Sequence, residues 1–429
     1  MRLLRFACFA VVVACSNSPS PRLIPGGGIG DGDIDGTLNI YVIDHDTEMP
    51  ITGATVEVGT TQKPTDSKGL ATFGPSGPQT ITVQAAGYVS TVWASADGAN
   101  VTVPLNPTPD VPEQATLTGT IASWSSITVM AQHVKAAYVV YSWDSKANNG
   151  ANDLTTPANG QLCGLAPADT TCAWTVVTRT GTVTLTAVIV DIDTNGTVSQ
   201  DDDTRSIIGY ATVPAVTVDS GVNQSGIVLN QIDAGNLEDV TIDPGTPPAA
   251  LTTTGYLVGI ELANEEVVQL PVSALSTDFT TVLVPKPTVY AADATFRLTG
   301  EAQTTSVPTA ASIVQRTRLA STALATGTWL DTPTNAMVSA SSASFTPVAG
   351  ASAHQISWQD GSIPPKDLLQ VTIFDPKVTT FAVPNLVAPT GAVTATVSAL
   401  AATFDVKNFS LDDDLDKVWG DSAQPATLQ

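Results

Sequence analysis

The chain has 429 residues, 17 of them basic and 40 acidic, for a formal charge of −23 at pH 7. A surface this acidic repels polyanions, which makes nucleic acid and anionic headgroups poor partners. The 43% hydrophobic content and alternating Val/Thr-rich runs exclude a disordered chain, and the length suffices for two to four domains.

The N-terminus carries Arg2 and Arg5 ahead of an apolar run from Phe6 to Val13, then Ala14 and Cys15. That is the pattern of a short signal peptide. The run is too short to cross a bilayer, which needs roughly 20 apolar residues. The order Val12-Val13-Ala14-Cys15 resembles the lipobox of bacterial lipoproteins, whereas Cys8 has Arg5 where an aliphatic residue belongs. The resemblance implies removal of residues 1–14, acylation of Cys15 and, because Ser16 follows, sorting to the outer membrane. Each buried acyl methylene is worth about 0.8 kcal/mol, so several chains on one cysteine make a durable membrane anchor. The alternative is a plain secreted protein whose apolar run happens to end in cysteine.

Of four cysteines, Cys163 and Cys172 then remain. In an exported chain this pair is most simply a disulfide closing a small loop, worth about 2–3 kcal/mol. A metal site would need more ligands nearby, and a redox pair is more often spaced CxxC.

Residues 15–36 are rich in Ser, Pro and Gly and read as a tether, stiff at Pro19, Pro21 and Pro25 and loose at Gly26-Gly27-Gly28. Asp31, Asp33 and Asp35 read as a solvated acidic linker, with a cation site as the alternative. From 37 to 107 the chain alternates with period two around Leu38–Val42, Ala54–Val58 and Ile81–Ala85, the pattern of half-buried strands in a β-sandwich. Asp66-Ser67-Lys68-Gly69 supplies a turn. The order Pro50-Ile51-Thr52-Gly53-Ala54-Thr55-Val56-Glu57-Val58, then Thr65–Phe73, then Ile81–Tyr88, resembles the carboxypeptidase regulatory-like domain. That resemblance implies a prealbumin-like seven-stranded sandwich acting as a non-catalytic accessory or spacer module.

Two motifs invite an enzymatic reading. His45-Asp46-Thr47-Glu48 has HxxE spacing, but it follows a strand into a turn and lacks a surrounding catalytic pattern. Gly420-Asp421-Ser422 is an isolated triplet, and no GxSxG elbow occurs. The chain is therefore expected not to be an enzyme.

The prolines at 107, 109 and 112 make a stiff connector to a second sandwich over 115–231. Trp124, Trp143 and Trp174 are expected in its core, with a sugar-binding platform as the alternative. Its strongest strand is Thr182–Val190: Val183, Leu185, Ala187 and Ile189 line one face and Thr182, Thr184 and Thr186 the other, while Val188 and Val190 interrupt the polar side. The strand leads into Asp191-Ile192-Asp193-Thr194-Asn195-Gly196-Thr197-Val198-Ser199-Gln200-Asp201-Asp202, which satisfies a twelve-residue calcium-loop pattern. Asp191, Asp193 and Asn195 offer oxygens at positions 1, 3 and 5, and Gly196 permits the turn. Thr197 offers its carbonyl, Ser199 an oxygen directly or through water, and Asp202 closes position 12. Asp at position 12 is one methylene shorter than the usual Glu, and the flanks are strands. The expected role is thus a structural calcium brace, with an acidic solvated turn as the alternative.

Residues 237–429 continue β-rich, with strands expected at Val267–Val272, Thr280–Val284 and Thr295–Thr299 and a short helix only within Ala310–Ala325. Ser344–Ala351, His354–Trp358, Leu369–Phe374 and Thr379–Leu386 resemble a fibronectin type III-like strand order within 344–429. Asp412-Asp413-Asp414-Leu415-Asp416 reads as a solvated turn. The whole is an all-β protein of tandem β-sandwich domains after a lipidated flexible tether. Its expected role is an envelope-anchored scaffold or binding protein for a protein or glycan ligand. A carbohydrate-binding lipoprotein and a hydrolase with an unrecognised site are the alternatives.

Overall fold

The computed structural model describes residues 32–45, 47, 49–108, 114–144, 162–163, 170–197, 202–262, 266–304, 310–362, 366–401 and 421–424, with the backbone alone at 143–144, 162–163 and 421–424. Almost every element is a strand, and the strands stack as tandem β-sandwiches.

The first sandwich contains β1 (Leu38–Asp44), β2 (Thr55–Val58), β3 (Thr61–Pro64), β4 (Leu70–Phe73), β5 (Gln79–Gln84), β6 (Ser90–Ala96) and β7 (Asn100–Leu105). Its sheets run β4-β1-β7 and β3-β2-β5-β6. Period-two alternation sends Leu38, Ile40, Val42, Val56, Ile81 and Val83 into the space between them. The turn at Asp66 is tied by Gly69 N–H donating to the Asp66 carbonyl at 3.0 Å. Residues 32–36, expected in the tether, instead lie on this sandwich. Asp33 bridges Gly98, Asp35 bridges Ser76, and Ile34 is buried in the core. The apolar Ile34 between two exposed aspartates explains the docking, because burying one aliphatic side chain is worth about 1.5–3 kcal/mol.

The second sandwich comprises β8 (Gln114–Ile121), β9 (His133–Tyr141), β10 (Trp143–Asp144), β11 (Leu162–Cys163), β12 (Ala173–Arg179), β13 (Gly181–Asp193), β14 (Thr204–Val218) and β15 (Gln224–Gln231). Apart from β10, these strands form one seven-stranded sheet, β11-β9-β13-β14-β15-β8-β12. It folds over around Leu117, Trp124, Trp174, Leu185 and Ile189. Trp124 and Trp174 are therefore core residues, as their scattered spacing indicated; the Trp143 side chain lies outside the described residues.

Residues 237–401 and 421–424 form two sandwiches. The third has β16 (Leu237–Asp243), β17 (Thr253–Glu261), β18 (Glu266–Leu270), the one-turn helix α1 (Val272–Leu275), β19 (Thr281–Pro285), β20 (Thr295–Gln303), β21 (Ala311–Leu319) and β22 (Ala323–Ala325). The short helix expected within 310–325 is absent, and β21 and β22 take its place. Ile313, Val314 and the Thr/Ser positions of this stretch suit a pleated surface, and β20 offers β21 a full antiparallel partner. The fourth has β23 (Thr334–Ser339), β24 (Ser342–Thr346), β25 (Ala353–Asp360), β26 (Asp367–Ile373), β27 (Thr380–Ala382), β28 (Val393–Ala401) and β29 (Asp421–Gln424), with Phe345, Ile356, Trp358, Val371 and Val397 in its core.

The four units are joined by more than chain connectivity. One thirteen-stranded sheet runs β10-β18-β17-β20-β21-β29-β28-β25-β26-β6-β5-β2-β3, through all four sandwiches in turn. Its join between the fourth and first sandwiches is parallel: β26 pairs with β6 from Leu369 opposite Ser90 to Ile373 opposite Ala94. Val92 and Ala94 belong to the core of the fourth sandwich, and Trp93 meets Phe374 edge-on at 5.3 Å. Covalently the first sandwich leads directly to the second. The order of units therefore closes on itself, since the sheet runs from the second sandwich through the third and fourth to the first.

The second and third sandwiches share a further core. Ala136, Tyr138 and Val140 of β9, Val188 and Val190 of β13 and Tyr210 of β14 turn away from their own sandwich and pack with Val258, Ile260, Val268 and Val284. This is why Val188 and Val190 interrupt the polar face of β13: that face is buried by a neighbour. The Tyr210 hydroxyl donates to the Leu283 carbonyl at 2.8 Å, and the Tyr290 hydroxyl lies 3.1 Å from that of Thr186. Burial pushes the Tyr290 phenol up to about 12 and that of Tyr210 well above its ordinary value, so both stay protonated.

Candidate functional site

The candidate calcium residues lie at the β13–β14 hairpin. β13 continues as regular strand through Asp193, with Asp193 opposite Thr204 on β14 and opposite His133 on β9. Because side chains alternate, Asp191 and Asp193 share one face of the sheet, and the cross-strand neighbour on that face is His133. Its Nδ1 lies 2.9 Å from Asp191 Oδ1 and its Nε2 lies 3.6 Å from Asp193 Oδ2. Sequence reading missed this histidine. It stands 58 positions before Asp191, and only the strand register brings them together.

Beyond Asp193 the chain turns through Asn195 at φ 50° and Gly196 at φ 70°, the left-handed conformations that the Asn-Gly pair accommodates. Asp193 Oδ1 accepts the Asn195 N–H at 2.9 Å. The Thr197 hydroxyl lies 2.9 and 3.1 Å from the two carboxylate oxygens of Asp202, and the Asn195 side-chain amide donates to the Asp202 carbonyl. Asp193, Asn195, Thr197 and Asp202 are thus gathered at one hairpin end by their own hydrogen bonds. Asp191 is set back on the strand against His133, and Ser199 lies outside the described residues. Among the described residues no group of three or more His, Cys, Asp or Glu is arranged to hold a metal ion. The oxygens gathered at this turn are two carboxylates with side-chain amide, hydroxyl and carbonyl groups.

Two buried ionic clusters lie in the third sandwich. Glu266 accepts from Arg179 Nη2 at 3.3 Å and from the Ser142 hydroxyl at 3.0 Å, which ties β18 to the second sandwich. Glu261 lies 3.6 Å from Arg297 Nη1 and accepts the Arg318 backbone N–H at 2.7 Å, while Arg297 Nη2 donates to Gln315 at 2.8 Å. The first joins units, and the second ties the adjacent strands β17, β20 and β21 to one another. His45 and Thr47 of the HxxE stretch lie in the β1–β2 connection; Asp46 and Glu48 are outside the described residues. Cys172 is fully buried just before β12, and the Cys163 backbone pairs with Ala137. Cys15 and residues 412–416 are outside the described residues. No helix among the described residues is long and apolar enough to cross a membrane.

No protein-family profile matches the chain, and no curated protein matches it. Among solved structures, it is similar to a leucine-rich repeat protein from Bacteroides thetaiotaomicron, at 10% identity and TM-score 0.16 over 46% of this chain and 27% of that one. It is similar to the shaft pilin SpaA from Lactobacillus rhamnosus GG, at 13% identity and TM-score 0.13 over 47% and 99%. It is also similar to the chicken CNTN1 FN1–FN3 domains, at 10% identity and TM-score 0.14 over 81% and 94%. The chain spans about a quarter of the length of the leucine-rich repeat protein it matches. Likeness this low carries no argument about activity or ligand.

Proposed function

We propose that this chain is a non-catalytic, lipid-anchored scaffold of the bacterial cell envelope, held by acyl chains on Cys15 and presenting a stiff body of four sandwiches to a protein or glycan partner. The observation that carries the scaffold reading is the β6–β26 join, with the shared core around Val92, Ala94 and Val371. Strand modules meant to move independently leave their edges apart. Here the last sandwich is stitched to the first, and the second is packed onto the third. Five tryptophans, Trp93, Trp124, Trp174, Trp329 and Trp358, are buried. Buried rings do not offer a sugar-stacking face, which favours the scaffold over the carbohydrate-binding reading.

A calcium ion at the β13–β14 turn completes the reading as a brace. Asp193, Asn195, Thr197, Ser199 and Asp202 would hold it, and Asp191 would join on leaving His133. The ion supplies only charge neutralisation and local stiffness. At the roughly 10⁻⁴–10⁻³ M affinities of extracellular modules it is a structural part and not a switch. The same reading pairs Cys163 with Cys172. It is supported by the full burial of Cys172 and by the closeness of β11 to β12.

The anchoring is tested by fractionating bacteria that express the chain with and without Cys15→Ser, fed a labelled fatty acid. The expected result is label and membrane recovery for the parent and neither for the variant. A parent chain recovered unlabelled in the soluble fraction would overturn the anchor.

A further inference from the structure

We infer that β29 is an exchangeable strand and that the slot it fills, between β21 and β28, is a self-association site taking the same strand from a second copy of this chain. This goes beyond the scaffold reading and does not depend on the anchor.

The slot is defined by backbone pairing on both sides. Along β21, Ala311, Ser312, Ile313 and Val314 stand opposite Gln424, Ala423, Ser422 and Asp421, all antiparallel. Along β28, Ala399, Leu400 and Ala401 stand opposite Ala423, Ser422 and Asp421, also antiparallel. β21 is the outer strand of the third sandwich and β28 that of the fourth, and β29 alone joins them in the thirteen-stranded sheet. Without it the two sandwiches present parallel-running edges separated by one strand width, each with a row of unpaired N–H and C=O groups. A strand entering such a slot forms ladder bonds on two sides, twice what an ordinary edge offers.

Three features make the occupant replaceable. β29 is four residues long, so few ladder bonds hold it, and Pro425 follows directly, so it has no N–H with which to extend the ladder. Residues 402–420 separate it from β28, a covalent length that lets the strand reach its own slot or a neighbour's. Closing the chain back onto its own slot costs entropy that rises with this length, by about 0.6 kcal/mol per doubling, which narrows the advantage of its own slot over a neighbour's. On both sides β29 meets its partners in a continuous register. The slot therefore specifies an extended strand of this length and direction, and the chain itself carries one. Exchange between copies preserves every pairing of the monomer, which is the low-cost route to self-association.

The test uses variants of the full chain from Ser16 onward with one added cysteine each, at the paired positions Ala311 and Gln424, Cys163 and Cys172 being retained. Ala311→Cys and Gln424→Cys proteins are mixed under mild oxidation, beside the double variant carrying both substitutions. The expected result is a disulfide-linked heterodimer in the mixture whose yield rises with concentration and disappears when Ser422→Pro is added to the Gln424→Cys partner. Efficient internal cross-linking of the double variant with no heterodimer at any concentration would overturn exchange, since the slot would be real but closed to a second copy. Failure of the double variant to cross-link would overturn the slot itself.

Discussion

Val92 on β6 stands beside Val371 on β26 in parallel register, both fully buried, although 278 positions of chain separate them. Their contact joins the first sandwich to the fourth. A charge placed there has neither water nor a partner. Val92→Asp is expected to cost about 3 kcal/mol or more and to part the first and fourth sandwiches. Hydrogen exchange checks it. The Phe374 amide, which donates to the Ala94 carbonyl at 2.9 Å, should lose protection in the variant while amides of β13 keep theirs.

The Arg179–Glu266 pair should fasten the second sandwich to the third. With side chains only 13% and 8% exposed, removing one partner leaves a desolvated charge behind. Glu266→Ala is expected to lower unfolding free energy by about 3 kcal/mol. Adding Arg179→Ala should cost much less than it does alone. Additive losses in a chemical-denaturation double-mutant cycle would show that the pair is not coupled.

Acid should weaken the fourth sandwich before it touches the surface carboxylates. His354 is fully buried, its Nε2 accepts the Val348 N–H at 3.2 Å, and burial lowers its imidazole to about 4. An unfolded chain takes up that proton near its ordinary value of about 6.5. Between these values the unfolded state binds more protons than the folded one, so stability falls as pH drops from about 6.5 to about 4, by at most about 3 kcal/mol. Asp66, Asp278 and Asp360 are held below the ordinary carboxylate value by hydrogen bonds, so their contribution is lost at lower pH still. In His354→Leu the slope across the upper window should flatten, whatever the variant's absolute stability, when melting is followed by calorimetry.

Calcium should raise the melting temperature of the parent chain from Ser16 onward relative to chelator, and the rise should be smaller in Asp193→Ala than in Asp191→Ala. Asp193 sits at the turn, whereas Asp191 is set back against His133. Equal melting of the parent in millimolar calcium and in chelator would remove the brace.

Local pattern made β1, β2 and β5 of the first sandwich and the Thr182–Val190 part of β13 legible, since period two records which face is wet; the continuation of β13 through Asp193 reads as loop in the sequence. The Asn195-Gly196 turn was legible for the same reason, as a conformation written in two adjacent residues. Long-range pairing leaves no such local mark. Nothing near Asp191 announces His133, and nothing near Ser90 announces Leu369. Traces did exist: Val188 and Val190 break the polar face of β13, and β6 is buried at nearly every position, as a strand covered on both sides must be. Ala310–Ala325 read weakly as a helix because its Ala and Leu content is helix-permissive, and the partner edge of β20 decided otherwise.

Small-angle X-ray scattering of the chain from Ser16 onward, beside Val92→Asp, tests the stiff-scaffold claim most directly. The account predicts a compact particle in the profile extrapolated to low concentration, where strand exchange between copies does not contribute, and a clear expansion in the variant as the first sandwich swings free of the fourth. A parent profile already that of a flexible string of domains, indistinguishable from the variant, would contradict it.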